Sequence, residues 1–339
     1  VTLAAIFGLA GPVLSPEEAA FFRDVQPWGF ILFGRNIENP DQVRALTSAL
    51  RETVGRADAP ILIDQEGGRV QRLPPPYWPT YPPGETYRRL GAAGLSARDF
   101  AWLGGRLIAA DLADLGINVD CAPVADVPVR GAHDVIGDRA FAEEASEVVS
   151  LARAMAEGLM AGGVLPIIKH IPGHGRAGAD SHKTAPVVDA ALSELEASDF
   201  AAFKGLADLP IAMTAHVVFT AVDPDRPATT SPAVIADIIR KAIGFDGLLI
   251  SDDLSMEALS GDLAGRAKAS LAAGCDVVLH CNGSMEEMRR VASASGALSG
   301  HAARRAGAAL AALPANLAPF DVGEGKARLD RALADLALS

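Results

Sequence analysis

The sequence predicts an α/β fold of the (β/α)8 TIM-barrel class, laid out as one catalytic domain over residues 1–339 with extra helices at its C-terminal end. Three observations predict it. Eight short apolar runs recur, at residues 3–9, 29–33, 61–64, 117–120, 164–169, 211–216, 247–251 and 276–280. Each is followed by a polar turn and a helix-like stretch, the order that builds a parallel sheet. The length of 339 residues suits eight βα units.

The first fourteen residues, VTLAAIFGLAGPVL, resemble a signal peptide at first sight. They lack a positive leading region and a convincing cleavage site, and they are too short to span a bilayer. They read as the first core strand. The runs that follow are short and apolar throughout, as strands buried on both faces must be. Helix starts fall between them. Ser15-Pro16-Glu17-Glu18 offers a capping serine, a proline at the first helical position and a glutamate able to close a capping box. Asn39-Pro40 and Ser231-Pro232 repeat the cap-plus-proline signal, and Ser193 with Glu196 reads as another capping box. A doubly wound sheet is the rival architecture. It usually carries fewer strands, and no GxGxxG follows the first strand. Residues 65–100 and 171–186 read as long loops after a strand, and long loops in a compact domain are usually functional. The Ala-rich tail after Asn282 reads as helices packed outside the barrel. No repeat, linker or second domain is visible.

The net charge of −12 and the lack of a basic block exclude nucleic acid and an anionic membrane surface as partners. Cys121, Cys275 and Cys281 are odd in number and form no CxxC pair, so they read as free thiols in a reducing compartment, and the expected location is cytoplasmic. Oligomeric state is left open, and a monomer satisfies the sequence.

Chemistry in such a barrel sits at the C-terminal ends of the strands. Four of the eight runs end in polar groups: Asp64, Lys169 with His170, His216, and Asp252 with Asp253. Each has a bland reading. Asp64 could cap a turn, Lys169 could snorkel to solvent, and His216 is more often a satisfied core histidine than a catalyst. Arg69 and Arg72 are either solvated or bridged to Glu66. Because strand residues alternate sides, one of Asp252 and Asp253 faces the pocket and the other caps the next helix. Taken together, four charged strand ends on one rim are costly as mere structure. They describe a polar pocket for a hydroxyl-rich ligand.

The segment 173–184 carries three glycines, which reads as mobility, together with His174, Asp180 and His182. Asp180 and His182 share one face of an extended segment, so the carboxylate can fix which nitrogen of the imidazole holds its proton. Histidine titrates near neutral pH, which suits proton donation to a leaving oxygen. A metal site built from His170, His174 and His182 is the competing reading. It is the weaker one, because His170 and His174 flank Pro172-Gly173 rather than sharing a helix face. No metal or cofactor is expected.

At this point the residues resemble a known family. IDQEGGRVQRL (63–73), VIGDRAF (135–141), KHIPGHG (169–175), DSH (180–182) and SDDLSM (251–256) are similar to segments of the bacterial β-N-acetylglucosaminidases of glycoside hydrolase family 3. The resemblance runs in order from about Phe30 to about Met256. Gln65 stands where histidine is frequent. The chain lacks the length for the additional domain that carries an acid/base glutamate in other members, and it has the DSH segment instead, as in the short type that recycles peptidoglycan.

The resemblance implies Asp252 as nucleophile, His182 as general acid/base and Asp180 as its partner. It also implies Asp64, Arg72, Arg139, Lys169 and His170 as the residues that grip a terminal sugar. The substrate it implies is an N-acetylglucosaminyl glycoside, such as a 1,6-anhydro-N-acetylmuramoyl peptide. A phosphorylase working through the same site, a metal-dependent barrel hydrolase and a non-catalytic sugar-binding module are the alternatives. Product analysis with phosphate, chelation, and turnover of an aryl glycoside separate them.

Overall fold

The computed structural model describes residues 1–179, 181 and 185–338. Among them, eight parallel strands close into a barrel in chain order. They are β1 (Leu3–Gly8), β2 (Pro27–Leu32), β3 (Ile61–Ile63), β4 (Val119–Asp120), β5 (Leu165–Ile171), β6 (Ile211–Thr214), β7 (Leu248–Asp253) and β8 (Val277–His280). Closure comes from β8 pairing back onto β1, with Ala5 opposite Val278 and Ile6 opposite Leu279. Each predicted apolar run overlaps one of these strands, although β2 begins ahead of its run and β5 and β7 extend beyond theirs.

Burial on both faces explains why the runs are apolar without a break. Ile6, Ile31, Leu62, Val119, Ile167, Met213, Ile250 and Leu279 fill the barrel interior. Their neighbours Ala5, Phe7, Phe30, Leu32, Ile61 and Ile63 pack outward under the helices. Trp28, Ala306 and Ala309 join the interior cluster at the end where the strands begin, so the helix Gly300–Leu310 stoppers the barrel from below. The opposite end is left for the site.

The helix starts follow the sequence with one exception. Ser15 and Glu18 form the complete capping box ahead of Pro16–Val25. Asn39 accepts from the Gln42 N–H at 3.0 Å. Ser231 accepts from the Val234 N–H at 3.1 Å, although the helix it opens is π-wound over Val234–Ile243. The box expected from Ser193 and Glu196 does not form. The helix Leu192–Ala197 begins ahead of Ser193, Ala191 is its N-cap, and Leu195 is the residue it buries. Ser193 therefore lies inside the first turn, where its side chain cannot cap.

The stretch 65–100 is not one loop either. Gln65–Gly67 pairs antiparallel with Val70–Gln71 as a short hairpin. The helix Gly84–Ala92 follows, burying Tyr87 and Leu90, and the helix Ala97–Asp114 then begins. Proline suppresses regular structure only over 74–83. After Asn282 come the expected outer helices, Met285–Ser295, Gly300–Leu310 and Val322–Leu338. Among the described residues, no helix is long and apolar enough to cross a membrane.

Candidate active site

The strand C-termini surround a pocket of about 180 Å³. That is small beside the roughly 300–1,000 Å³ usual for drug-sized ligands. Ile31, Met213 and Leu279 from the barrel interior line it, as do Asp64, Glu66, Arg72, Arg139, Lys169, His170 and Asp252. The five sugar-gripping candidates and the candidate nucleophile, drawn from β3, the hairpin after it, the 3-10 turn Gly137–Arg139, β5 and β7, thus share one cavity.

Five of the charged groups form an alternating chain. Arg72 Nη2 lies 3.0 Å from Asp64 Oδ2, and Lys169 Nζ lies 3.0 Å from Asp64 Oδ1. Lys169 Nζ also lies 2.6 Å from Glu66 Oε1. Arg139 closes the row with a two-pronged contact to Glu66, Nε and Nη2 each at 2.8 Å. Lys169 is 3% exposed, so it does not snorkel.

Burial alone would push the Asp64 and Glu66 carboxyls up. Lys169 with Arg72 outweighs it at Asp64, and Lys169 with Arg139 brings Glu66 down to about 2. Burial likewise opposes the Lys169 charge, and its two carboxylates overcome that and raise it. Asp64, Glu66, Lys169 and Arg139 are therefore charged at neutral pH, and each carboxylate keeps lone pairs free for a ligand hydroxyl.

Asp252 is ionised as well. Burial raises its pKa, but attraction to the His216 and His170 rings, the Asp253 N–H at 2.8 Å and the Lys169 charge lower it overall. Asp253 also lines the pocket, contrary to strict alternation along the strand. The register between β7 and β8 runs from Ile250–Val277 to Asp253–Leu279, which leaves one extra residue on β7. Such a bulge turns consecutive side chains the same way. Nor does Asp253 cap a helix. It accepts from the Ser255 N–H, the Ser255 hydroxyl and the Cys281 N–H, fixing the turn after the strand, while Asp262 caps the next helix. A similar shift after Lys169 on β5 accompanies the presence of both Lys169 and His170 at the pocket.

His216 does not line the pocket. Its Nε2 lies 2.9 Å from the Asp253 carbonyl, which only accepts, so Nε2 carries the proton. Nδ1 lies 2.7 Å from Thr229 Oγ1. Both nitrogens are used, and burial lowers the pKa. His216 is a satisfied core residue that backs Asp252.

Arg69 neither faces bulk solvent alone nor reaches Glu66. Its Nη2 donates to the carbonyls of Asp134, Val135 and Ile136, and its Nε lies 3.3 Å from Asp138. It ties the hairpin to the segment that delivers Arg139.

The sequence reading passed over Asp126, which organises the far wall. This carboxylate is fully buried. Its Oδ1 accepts from the backbone N–H of His170 at 3.1 Å and of His174 at 2.7 Å, while Oδ2 lies 2.7 Å from His170 Nδ1. An ionised carboxylate only accepts, so Nδ1 of His170 holds a proton and the ring is fixed with Nε2 free of Asp126. The Asp126 pKa is lowered although burial opposes it, because the two histidines and their N–H groups prevail.

The glycines that read as mobility have another use at two positions. A Cβ on Gly175 would stand 1.9 Å from the Val127 carbonyl oxygen, and Gly173 has φ of +147° with Asp199 against it. They let the backbone pack closely. Asp180 and His182 lie outside the described residues. Ser181, between them, is described: it lines the pocket, is 3% exposed and lies 3.2 Å from His174 Nε2. Among the described residues, no group of three or more His, Cys, Asp or Glu is arranged to hold a metal ion.

Comparison with known proteins agrees with this geometry. Residues 13–305 match the glycosyl hydrolase family 3 N-terminal domain. The chain is similar to a β-hexosaminidase from Methylococcus capsulatus, 43% identical over 282 residues and covering 82% of each protein. A β-hexosaminidase from Alkalilimnicola ehrlichii is 41% identical over 281 residues, 82% of this chain and 80% of that one. Among solved structures it is similar to NagZ from Neisseria gonorrhoeae in complex with N-trifluoroacetyl-D-glucosamine. There the TM-score is 0.83 at 31% identity, over 99% of this chain and 97% of the other.

Proposed function

The chain belongs to glycosyl hydrolase family 3, and from that premise we propose that it removes a terminal, non-reducing β-linked N-acetylglucosamine with retention of configuration. The proposed natural substrate is an N-acetylglucosaminyl-1,6-anhydro-N-acetylmuramoyl peptide, and the proposed setting is the cytoplasm. That the protein is a β-hexosaminidase-type glycoside hydrolase follows from the relatives. The choice of sugar draws on the N-trifluoroacetyl-D-glucosamine bound by the Neisseria protein.

One observation carries the mechanism: an ionised Asp252 shares a cavity of about 180 Å³ with the Arg72–Asp64–Lys169–Glu66–Arg139 chain. A retaining enzyme needs a nucleophile on one face of the sugar and a proton donor on the other. In this reading Asp64, Arg72, Arg139, Lys169 and His170 hold the ring hydroxyls. Asp252 attacks the anomeric carbon and forms a glycosyl ester as the aglycone leaves. His182, oriented by Asp180, gives a proton to the departing oxygen and then takes one from the water that hydrolyses the ester. Histidine here takes the place of the second carboxylate usual in such pairs.

The test is to trap the intermediate with a 5-fluoro-N-acetylglucosaminyl fluoride, which keeps the 2-acetamido group while slowing both steps. Its slow hydrolysis should leave a label on the peptide containing Asp252, and Asp252→Asn should take none. A label elsewhere, or release of the inverted anomer, removes the proposal. His182→Ala should slow substrates with poor leaving groups by about 10²–10⁴-fold, with a far smaller effect on activated aryl glycosides. Product analysis with added phosphate should give free sugar rather than a sugar 1-phosphate.

A further inference from the structure

Two buried polar groups beside the pocket have no part in the mechanism above. The His174 ring is 3% exposed and Ser181 is 3% exposed, yet both line the cavity. Their side chains meet, with Nε2 of His174 3.2 Å from Oγ of Ser181. The other ring nitrogen, Nδ1, is buried without a partner. A buried N–H without a partner is rarer and costlier than an unused acceptor, so the tautomer with the proton on Nε2 is favoured, and the ring donates to the serine.

The histidine is itself fixed. Its backbone N–H donates to Asp126 at 2.7 Å, and Asp126 also holds His170, whose ring stands 5.5 Å away. Gly175, one residue on, is pressed against Val127. From the other side the Ser181 carbonyl accepts from the Ala258 N–H at 3.3 Å, in the turn that follows β7 and Asp252. Ser181 is thus bound on one side to the wall that carries His170 and on the other to the strand end that carries Asp252. It is also the residue between Asp180 and His182.

We infer that His174 and Ser181 are positioning residues, a buried pin that sets the distance between the proposed general acid and the sugar held over Asp252. The inference rests on the reading of His182 as the acid/base. The pin touches no reacting atom. It acts by holding the backbone next to the donor, and misplacing a catalytic group by about 1 Å can cost about 10²-fold in rate. Burial brings the His174 pKa down to about 4, so the ring stays neutral and the pin survives near neutral pH.

The experiment compares Ser181→Ala, His174→Leu, the double variant and His182→Ala on two N-acetyl-β-glucosaminides, one with a 4-nitrophenyl leaving group and one with a methyl leaving group. Loss of the pin should lower kcat for the methyl glycoside roughly 10- to 100-fold more than for the nitrophenyl one, with KM little changed. The double variant should be no slower than the worse single variant, and His174→Gln, which keeps a donor, should recover part of the rate. Equal losses on both substrates, or additive losses in the double variant, overturn the inference. If His174→Leu fails to fold, Ser181→Ala alone decides the question. His182→Ala is the control on the underlying reading. If it shows no leaving-group dependence the acid assignment fails, whereas if it alone shows it the pin fails and the assignment stands.

Discussion

At the scale of single residues, buried histidines make the molecule sensitive to mild acid. His174 holds its pKa near 4 because burial disfavours the charged ring. An unfolded histidine titrates near about 6.5. Between those values the unfolded chain binds a proton that the folded chain does not, so stability falls as pH falls. The contribution is fully present above about 6.5 and is lost as pH drops through the folded value. Across that window it amounts to about 3 kcal/mol at most. His216, buried with both nitrogens engaged, shifts in the same direction and adds to the slope. His174→Gln should therefore show a smaller drop in Tm between about pH 7 and about pH 5 than the parent does. Equal drops would mean that His174 is hydrated or charged in the folded protein.

At the scale of elements, the hairpin after β3 and the end of β5 hold each other through buried charge. Among the described residues, Lys169 is the one cation that contacts both Asp64 and Glu66, and all three side chains are at most 14% exposed. Removing Lys169 leaves Asp64 with Arg72 alone and Glu66 with Arg139 alone, and breaking a buried ion pair typically costs about 3–5 kcal/mol. Lys169→Met should lower the urea midpoint by a corresponding amount and abolish sugar binding. Each carboxylate would lose one of the two cations that hold its pKa down and would titrate higher than in the parent. The deficit should shrink as pH is lowered and they take up protons, whereas a deficit independent of pH would mark simple packing damage. A second element-scale prediction concerns Gly175. Because a Cβ there would overlap the Val127 carbonyl, Gly175→Ala should displace the segment that carries His174. It should reduce activity on every substrate and lower Tm.

These elements also show what could be read in advance. Strand ends are visible in sequence because an apolar run that stops at Asp64, Lys169 or Asp252 breaks an otherwise continuous pattern. Asp126 is not visible, because it lies beyond β4 and its role depends on β5 folding against it. The terminal bulges on β5 and β7 are equally hidden. Strict alternation sends Asp253 away from the pocket, and only the pairing register with β8 shows the extra residue. Glycine is ambiguous in the same way, since sequence gives its freedom but not whether the space beside it is empty or, as at Gly175, occupied.

At the scale of the whole molecule, the charge distribution separates recognition of the sugar from recognition of what it is attached to. The chain carries a net charge of −12. Among the described residues its pocket is lined by four carboxylates (Asp64, Glu66, Asp252 and Asp253) against three cations (Arg72, Arg139 and Lys169). Neither the global field nor the local one attracts an anion, and long-range fields of this kind act on association and are screened by salt. A neutral aryl N-acetylglucosaminide should have a kcat/KM that is flat between about 50 mM and about 500 mM sodium chloride, because no charge is steered. The pocket's own ion pairs are buried and resist screening over that range. A muropeptide with free carboxylates is repelled at low salt, so its kcat/KM should rise with ionic strength while that of the aryl glycoside does not. Measuring both on one enzyme preparation checks this directly. A fall in muropeptide kcat/KM with salt would show instead that cations around the mouth, such as Arg69 or Arg35, capture the peptide and dominate the overall charge.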